Sequence, residues 1–148
     1  MKTIGEGMPE REDIGYFVNR AVLVVEDEPF TAIDVALTFE GEGARTMHAT
    51  NCAQAERAIE AVGGPQNLIG AVLDVRLGDG ETVRPIAERL AAARIPIILH
   101  TGMDRRAALE AVGVEAIPLS KPATPGSLIE TLRFAARERE QMDAARQH

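Results

Sequence analysis

Five short apolar runs are spaced along the chain, and segments with a different period separate them. Ala21 to Val25 reads Ala-Val-Leu-Val-Val, with no polar alternation, the pattern of a strand buried on both faces. Leu68 to Leu73 and Ile95 to Leu99 read the same way, and Pro96 sits near the start of the latter, where a missing N–H is tolerated. Ala44 to Ala49 is of mixed polarity and suits an edge strand. Glu115 to Leu119 carries the weakest strand pattern. Between these runs the apolar positions recur at helical spacing. Phe30, Ile33 and Leu37 fall at i, i+3, i+7. Ala55, Ala58, Ile59 and Val62, and again Val83, Ile86, Ala87 and Leu90, fill i, i+3, i+4, i+7. Arg105 to Val112 predicts a short helix. Ser127 can cap a last helix whose apolar side includes Leu128, Leu132 and Ala135.

Strand then helix, five times over, predicts right-handed crossovers and a parallel sheet covered on both faces. The expected fold class is therefore α/β, a flavodoxin-like doubly wound five-stranded sheet of order 2-1-3-4-5. The expected organisation is an N-terminal extension over residues 1–20, one domain over 21–140, and a polar tail over 141–148 continuing the last helix. The extension carries a local apolar cluster, Ile14, Tyr16, Phe17 and Val18. It reads as a frayed tail in preference to a short helix docked on the domain or on a partner.

Composition narrows the function classes. With 148 residues, 45% hydrophobic and 26% charged, the chain has ordinary globular content for a single core. Sixteen Lys and Arg against 23 Asp and Glu leave a net charge of −7, which argues against non-specific nucleic-acid binding. Aromatics at 3% leave little for stacking on single strands. No apolar run is long enough to predict a membrane span, and the start, with Glu6 and Glu10, is not a secretory signal. A single cysteine, Cys52, excludes an internal disulfide and fits a reduced, cytoplasmic protein.

In doubly wound sheets, sites form beyond the carboxyl ends of the strands. There the sequence places Glu26 and Asp27 after the first strand and Asp74 after the third. Thr101 follows the fourth, and Ser120, Lys121 and Pro122 follow the fifth. A lone strand-end aspartate is usually a turn or cap residue. Three converging carboxylates repel, however, and call for a cation. A hard divalent ion with oxygen ligands, Mg²⁺, answers that need.

The segments Val24-Val25-Glu26-Asp27-Glu28-Pro29, Val72-Leu73-Asp74-Val75, His100-Thr101-Gly102 and Ser120-Lys121-Pro122 resemble the signatures of the response-regulator receiver domain of two-component signalling. The resemblance spans roughly residues 20 to 140 and suggests the stand-alone type, with no output domain. It implies that Asp74 accepts a phosphoryl group from a histidine kinase or histidine phosphotransfer protein. Glu26, Asp27, Asp74 and the backbone carbonyl of Arg76 would hold Mg²⁺. Thr101 would bond the phosphoryl group, and Lys121 would pair with Asp74 and later with the phosphoryl oxygens. The Lys121–Pro122 bond would be cis. A downstream protein partner would meet the face of the fourth helix, fifth strand and fifth helix, through which a homodimer is also conceivable. The protein would be a signalling phosphoacceptor, not an enzyme acting on other molecules.

Two departures stand against that pattern. Pro118 occupies the place of the switch aromatic, three residues before the Lys, and cannot swing. Arg76 stands two after Asp74, beside the expected hydrolytic water, where it could alter phosphoryl lifetime. Pro118 supports an alternative, a receiver-like interaction module that is never phosphorylated. A phosphatase of the haloacid-dehalogenase type fits less well, because its nucleophile is expected after the first strand in an Asp-x-Asp pattern. His48 and His100 read as packing or surface residues.

Overall fold

A computed structural model describes residues 13–147. Five parallel strands are ordered β2-β1-β3-β4-β5: β1 (Ala21–Val25), β2 (Arg45–Ala49), β3 (Leu68–Leu73), β4 (Ile97–Thr101) and β5 (Ile117–Ser120). The helices between and after them are α1 (Pro29–Glu40), α2 (Cys52–Ala61), α3 (Arg84–Ala92), α4 (Arg105–Val112) and α5 (Pro125–Arg146). The expected order and class are those observed.

Strand alternation sorts the core into two layers. Ala21, Leu23 and Val25 of β1 join Ile59, Leu73, Ile86, Leu90, Leu99 and Val112 under α2, α3 and α4. Val22 and Val24 face the other way, with Val35 and Phe39 of α1, Val72, Ile98, and Leu128, Leu132 and Ala136 of α5. Both faces of the central strands are thus covered, which is why β1 and β3 are apolar throughout. The edge strand β2 pairs only with β1 and carries the mixed pattern Arg-Thr-Met-His-Ala.

Several local expectations are corrected. The stripe Phe30, Ile33 and Leu37 faces solvent, at 77%, 52% and 59% exposure, and α1 instead buries Ala32, Val35 and Phe39. The helix carries two apolar stripes, and contact with the sheet selects the one holding Phe39. β4 begins two residues later than expected, since the Ile95 N–H is bound by the Leu90 carbonyl at the end of α3 and Pro96 has no N–H to give. β5 likewise starts at Ile117 rather than Glu115, because pairing with β4 begins at Ile98 and Ile117. Thr124, not Ser127, caps α5: its side chain accepts the Ser127 N–H, with Pro125 at the first helical position. Ala136, four residues after Leu132, is the buried position, and Ala135 is only half-buried.

The frayed-tail reading fails for residues 13–20. Phe17 is 1% exposed, packed edge-to-face on Phe39. Tyr16 lies between the Arg20 and Arg137 guanidinium groups and donates its hydroxyl to Glu140 at 2.7 Å. Asp13 pairs with Arg137 at 2.8 Å. The part of the extension before Asp13, and His148 at the end of the tail, lie outside the described residues. α5 runs unbroken through residue 140, so the expected tail is helical up to Arg146.

Candidate functional site

Parallel register carries the polar residues together. Val25 is paired with both Ala49 and Leu73. Its carbonyl accepts the Asp74 N–H at 2.9 Å, and the Glu26 N–H donates to the Ala49 carbonyl at 2.9 Å. Glu26 and Asp74 therefore emerge side by side from adjacent central strands. On the other side, Thr101 pairs with Ser120, and the Lys121 N–H donates to the Thr101 carbonyl at 3.0 Å. The Lys121–Pro122 peptide is cis, as the resemblance implied.

From that loop the Lys121 ammonium reaches across β4. It lies 2.8 Å from Asp74 Oδ2 and 2.7 Å from Glu26 Oε1. The other Glu26 oxygen accepts the Glu28 N–H at 3.0 Å. Burial pushes the Glu26 carboxyl above its ordinary range, against the lowering effect of Lys121 and the Glu28 N–H. Burial also opposes the charge on Lys121, but the bonds to Asp74 and Glu26 outweigh it and hold the ammonium pKa above its usual value. Glu28 itself turns away, accepting the Thr31 and Phe30 N–H groups as the cap of α1, and these bonds lower its pKa.

Asp27 completes an acidic cluster: Glu26, Asp27 and Asp74 each offer an oxygen, and these oxygens lie within 4.8 Å of one another. Glu26 is buried, Asp74 half-buried and Asp27 exposed, so the cluster opens to solvent on one side. Three carboxylates against one ammonium leave two formal negative charges, which a divalent cation balances. The donors are all hard oxygens, the ligand type that Mg²⁺ takes. Arg76 is exposed and bridges Thr82 in antiparallel fashion just beyond Asp74.

Thr101 is buried, and its Oγ1 accepts the Met103 N–H at 3.2 Å. Pro118 is buried in β5 opposite Leu99, and its carbonyl accepts from Arg105 of α4 at 3.3 Å. Of the two histidines read as packing or surface residues, His48 is exposed and His100 is buried. His48 Nε2 lies 2.9 Å from the Glu26 carbonyl. His100, 4% exposed, accepts the Ala123 N–H at Nε2 over 3.1 Å. Sequence reasoning passed over that contact. The available signal was a polar residue inside the apolar run of β4.

No protein-family model and no curated protein matches the chain. Solved structures do. It is similar to a receiver domain protein (CheY-like) from Methanospirillum hungatei, at 21% identity and a TM-score of 0.70, over 84% of this chain and 98% of that one. It is similar to a response regulator receiver protein from Sinorhizobium medicae, at 23% identity and a TM-score of 0.69, over 82% and 97%. It is also similar to the anti-anti-sigma factor PhyR from Bartonella quintana, at 22% identity and a TM-score of 0.71, over 88% of this chain and 53% of that one. Among the described residues no helix is long and apolar enough to cross a membrane. Strand order, helix layering and these likenesses together show that the chain folds as a response-regulator receiver domain.

Proposed function

We propose that this chain is a phosphoacceptor of a two-component relay, with Asp74 as the acceptor. The observation that carries the reading is the Lys121 ammonium held between Asp74 and Glu26 at 2.8 and 2.7 Å, beside the open Asp27. An Asp74 carboxylate oxygen attacks the phosphorus of a phosphohistidine on a histidine kinase or phosphotransfer protein. The P–O bond forms as the P–N bond breaks, and the imidazole leaves with a proton. Lys121 then passes from the carboxylate to the phosphoryl oxygens, whose growing charge it neutralises as a preorganised cation. Glu26, Asp27, Asp74 and the Arg76 carbonyl would hold Mg²⁺, which when bound neutralises charge on the transferring group. The Thr101 hydroxyl accepts from Met103 and keeps its own hydrogen to donate to a phosphoryl oxygen. A contact made only in the phosphorylated state shifts the population of conformers. The chain assists only its own phosphorylation and dephosphorylation, and Arg76 beside the acceptor tunes the lifetime. A cytoplasmic location goes with this role.

The donor's docking surface is assigned to the rim of the site, where the exposed stripe Phe30, Ile33 and Leu37 begins on the first turn of α1. The downstream partner, or a second copy, is assigned to the α4–β5–α5 face. Pro118 cannot swing there, so the readout passes through the β4–α4 loop, where Thr101, Met103 and Arg105 are linked to the site and to the Pro118 carbonyl.

The test is the intact mass after incubation with acetyl phosphate and Mg²⁺. One phosphoryl group is expected on the wild type and none on Asp74→Asn. A gain that persists in Asp74→Asn would place the acceptor elsewhere. No gain together with no saturable Mg²⁺ binding would favour the second reading, an unphosphorylated interaction module, for which the immobile Pro118 speaks.

A further inference from the structure

His100 is a buried polar side chain that the phosphoacceptor chemistry does not use. It sits on β4 one residue before Thr101 and pairs in register with Leu119 of β5. Its Nε2 accepts the Ala123 N–H at 3.1 Å. The loop from Lys121 to Thr124 is thereby fastened to β4 at two points, through the Lys121 N–H on the Thr101 carbonyl and the Ala123 N–H on His100. Lys121 lies inside the fastened stretch. Its long side chain has to bring the ammonium to two carboxylates at once, so the place of its backbone decides whether it does. A backbone N–H on this half-buried loop, turned toward the buried His100 ring, also calls for an acceptor, and an apolar residue at 100 would offer none.

We infer that His100 is a positioning residue: as a neutral imidazole with its proton on Nδ1, it holds the β5–α5 loop so that the Lys121 ammonium stays between Asp74 and Glu26. Burial and the charge of Lys121 push the His100 pKa down, with Asp74 opposing, which agrees with an unprotonated Nε2 at neutral pH. The inference rests on the proposed function only for the consequence it has in phosphorylation. Its structural content is separately testable.

Lys2 and Lys121 are the only lysines in the chain, so amine labelling reads Lys121 cleanly, with Lys2 as a reference in the same sample. Trace acetylation with acetic anhydride, followed by digestion and mass analysis, should find Lys121 slow in the wild type. In His100→Leu its labelling relative to Lys2 should rise about tenfold, the scale of one backbone donor left without its acceptor. In His100→Gln the amide oxygen can take the place of Nε2, and labelling should stay within about twofold, because the acceptor is retained. Acetyl phosphate-driven phosphorylation should slow in the leucine variant and recover in the glutamine variant. Equal labelling in wild type and both variants would overturn the inference. Altered labelling in a protein whose wild type neither takes a phosphoryl group nor binds Mg²⁺ saturably would support the positioning role and sink the proposed function instead. The wild type supplies a check that needs no variant: imidazole ¹⁵N spectra should show His100 with a bare Nε2, and a proton on Nε2 at neutral pH would refute the inference.

Discussion

At the residue scale, environment decides what each polar group does. Tyr16 is the clearest case outside the acidic cluster. Burial, then the bond to Glu140 and its charge, push the phenol up to about 12, with Arg20 working against them. The folded state therefore holds this proton more tightly than the unfolded chain. The stabilisation is complete below the ordinary phenol pKa of about 10 and is lost as pH rises from there through about 12. The chain has one tyrosine and no tryptophan, so phenolate absorbance reports Tyr16 alone. An alkaline titration of the folded protein is expected to have its midpoint near 12. A midpoint near 10 would mean that the contact with Glu140 does not form. The charged residues at the strand ends were legible in the sequence because doubly wound sheets put sites there. Glu26, Asp27, Asp74 and Lys121 do converge. The role of His100 was not legible. Its partner is a backbone N–H 23 residues away, and no side-chain pattern records a backbone donor.

At the scale of elements, helical spacing gave the positions of all five helices but not always their orientation. For α3 spacing and packing agree, since the N-cap Val83 with Ile86, Ala87 and Leu90 makes one apolar stripe and all four are buried. α1 has two. Period alone gives an angle on the helix, not the identity of what it packs against. The sheet face settled the choice for Ala32, Val35 and Phe39, where Phe17 from the N-terminal segment closes over Phe39. Packing between α5 and the sheet is close enough to be tested directly. Gly70 of β3 lies under Leu132, and a Cβ there would stand 2.4 Å from Leu132 Cδ1 and 3.0 Å from Cγ. Leu132 is fully buried, so it cannot move aside into solvent. Gly70→Ala is expected to destabilise the fold by about 1–3 kcal/mol, the usual cost of overpacking. Adding Leu132→Val should recover part of the loss, because the shortened side chain vacates the contested space. Denaturant unfolding of the single and double variants measures both. An unchanged midpoint in Gly70→Ala would show that α5 yields freely.

At the scale of the whole molecule, a cation held by the acidic cluster would be coupled to the centre of the sheet. Glu26 and Asp27 follow β1 and Asp74 follows β3, so any cation they hold ties together strands that exist side by side only in the folded chain. Binding to the native state alone raises stability by about 1.4 kcal/mol for each tenfold rise of ligand above its Kd. The thermal midpoint is therefore expected to climb with Mg²⁺ concentration in the wild type and to stay flat in Asp27→Ala, scanned side by side at constant ionic strength. Equal climbs in both would assign the effect to general screening.

The fastening of Tyr16, Arg20 and Asp13 to α5 has a topological consequence. Residues more than 115 apart in the chain meet there, with Tyr16 and Arg20 both on Glu140, below the entry to β1 and at the opposite pole from Asp74. Between Asp13 and Glu140 the backbone thus runs nearly full circle, sealed by Phe17 in the core and by ion pairs outside it. Such a ring can be joined at the seam and opened elsewhere, and the Gly63-Gly64 turn after α2 lies outside every strand pairing. A circularly permuted chain beginning at Pro65 would keep every strand pairing, with β3 leading and β1 following α5.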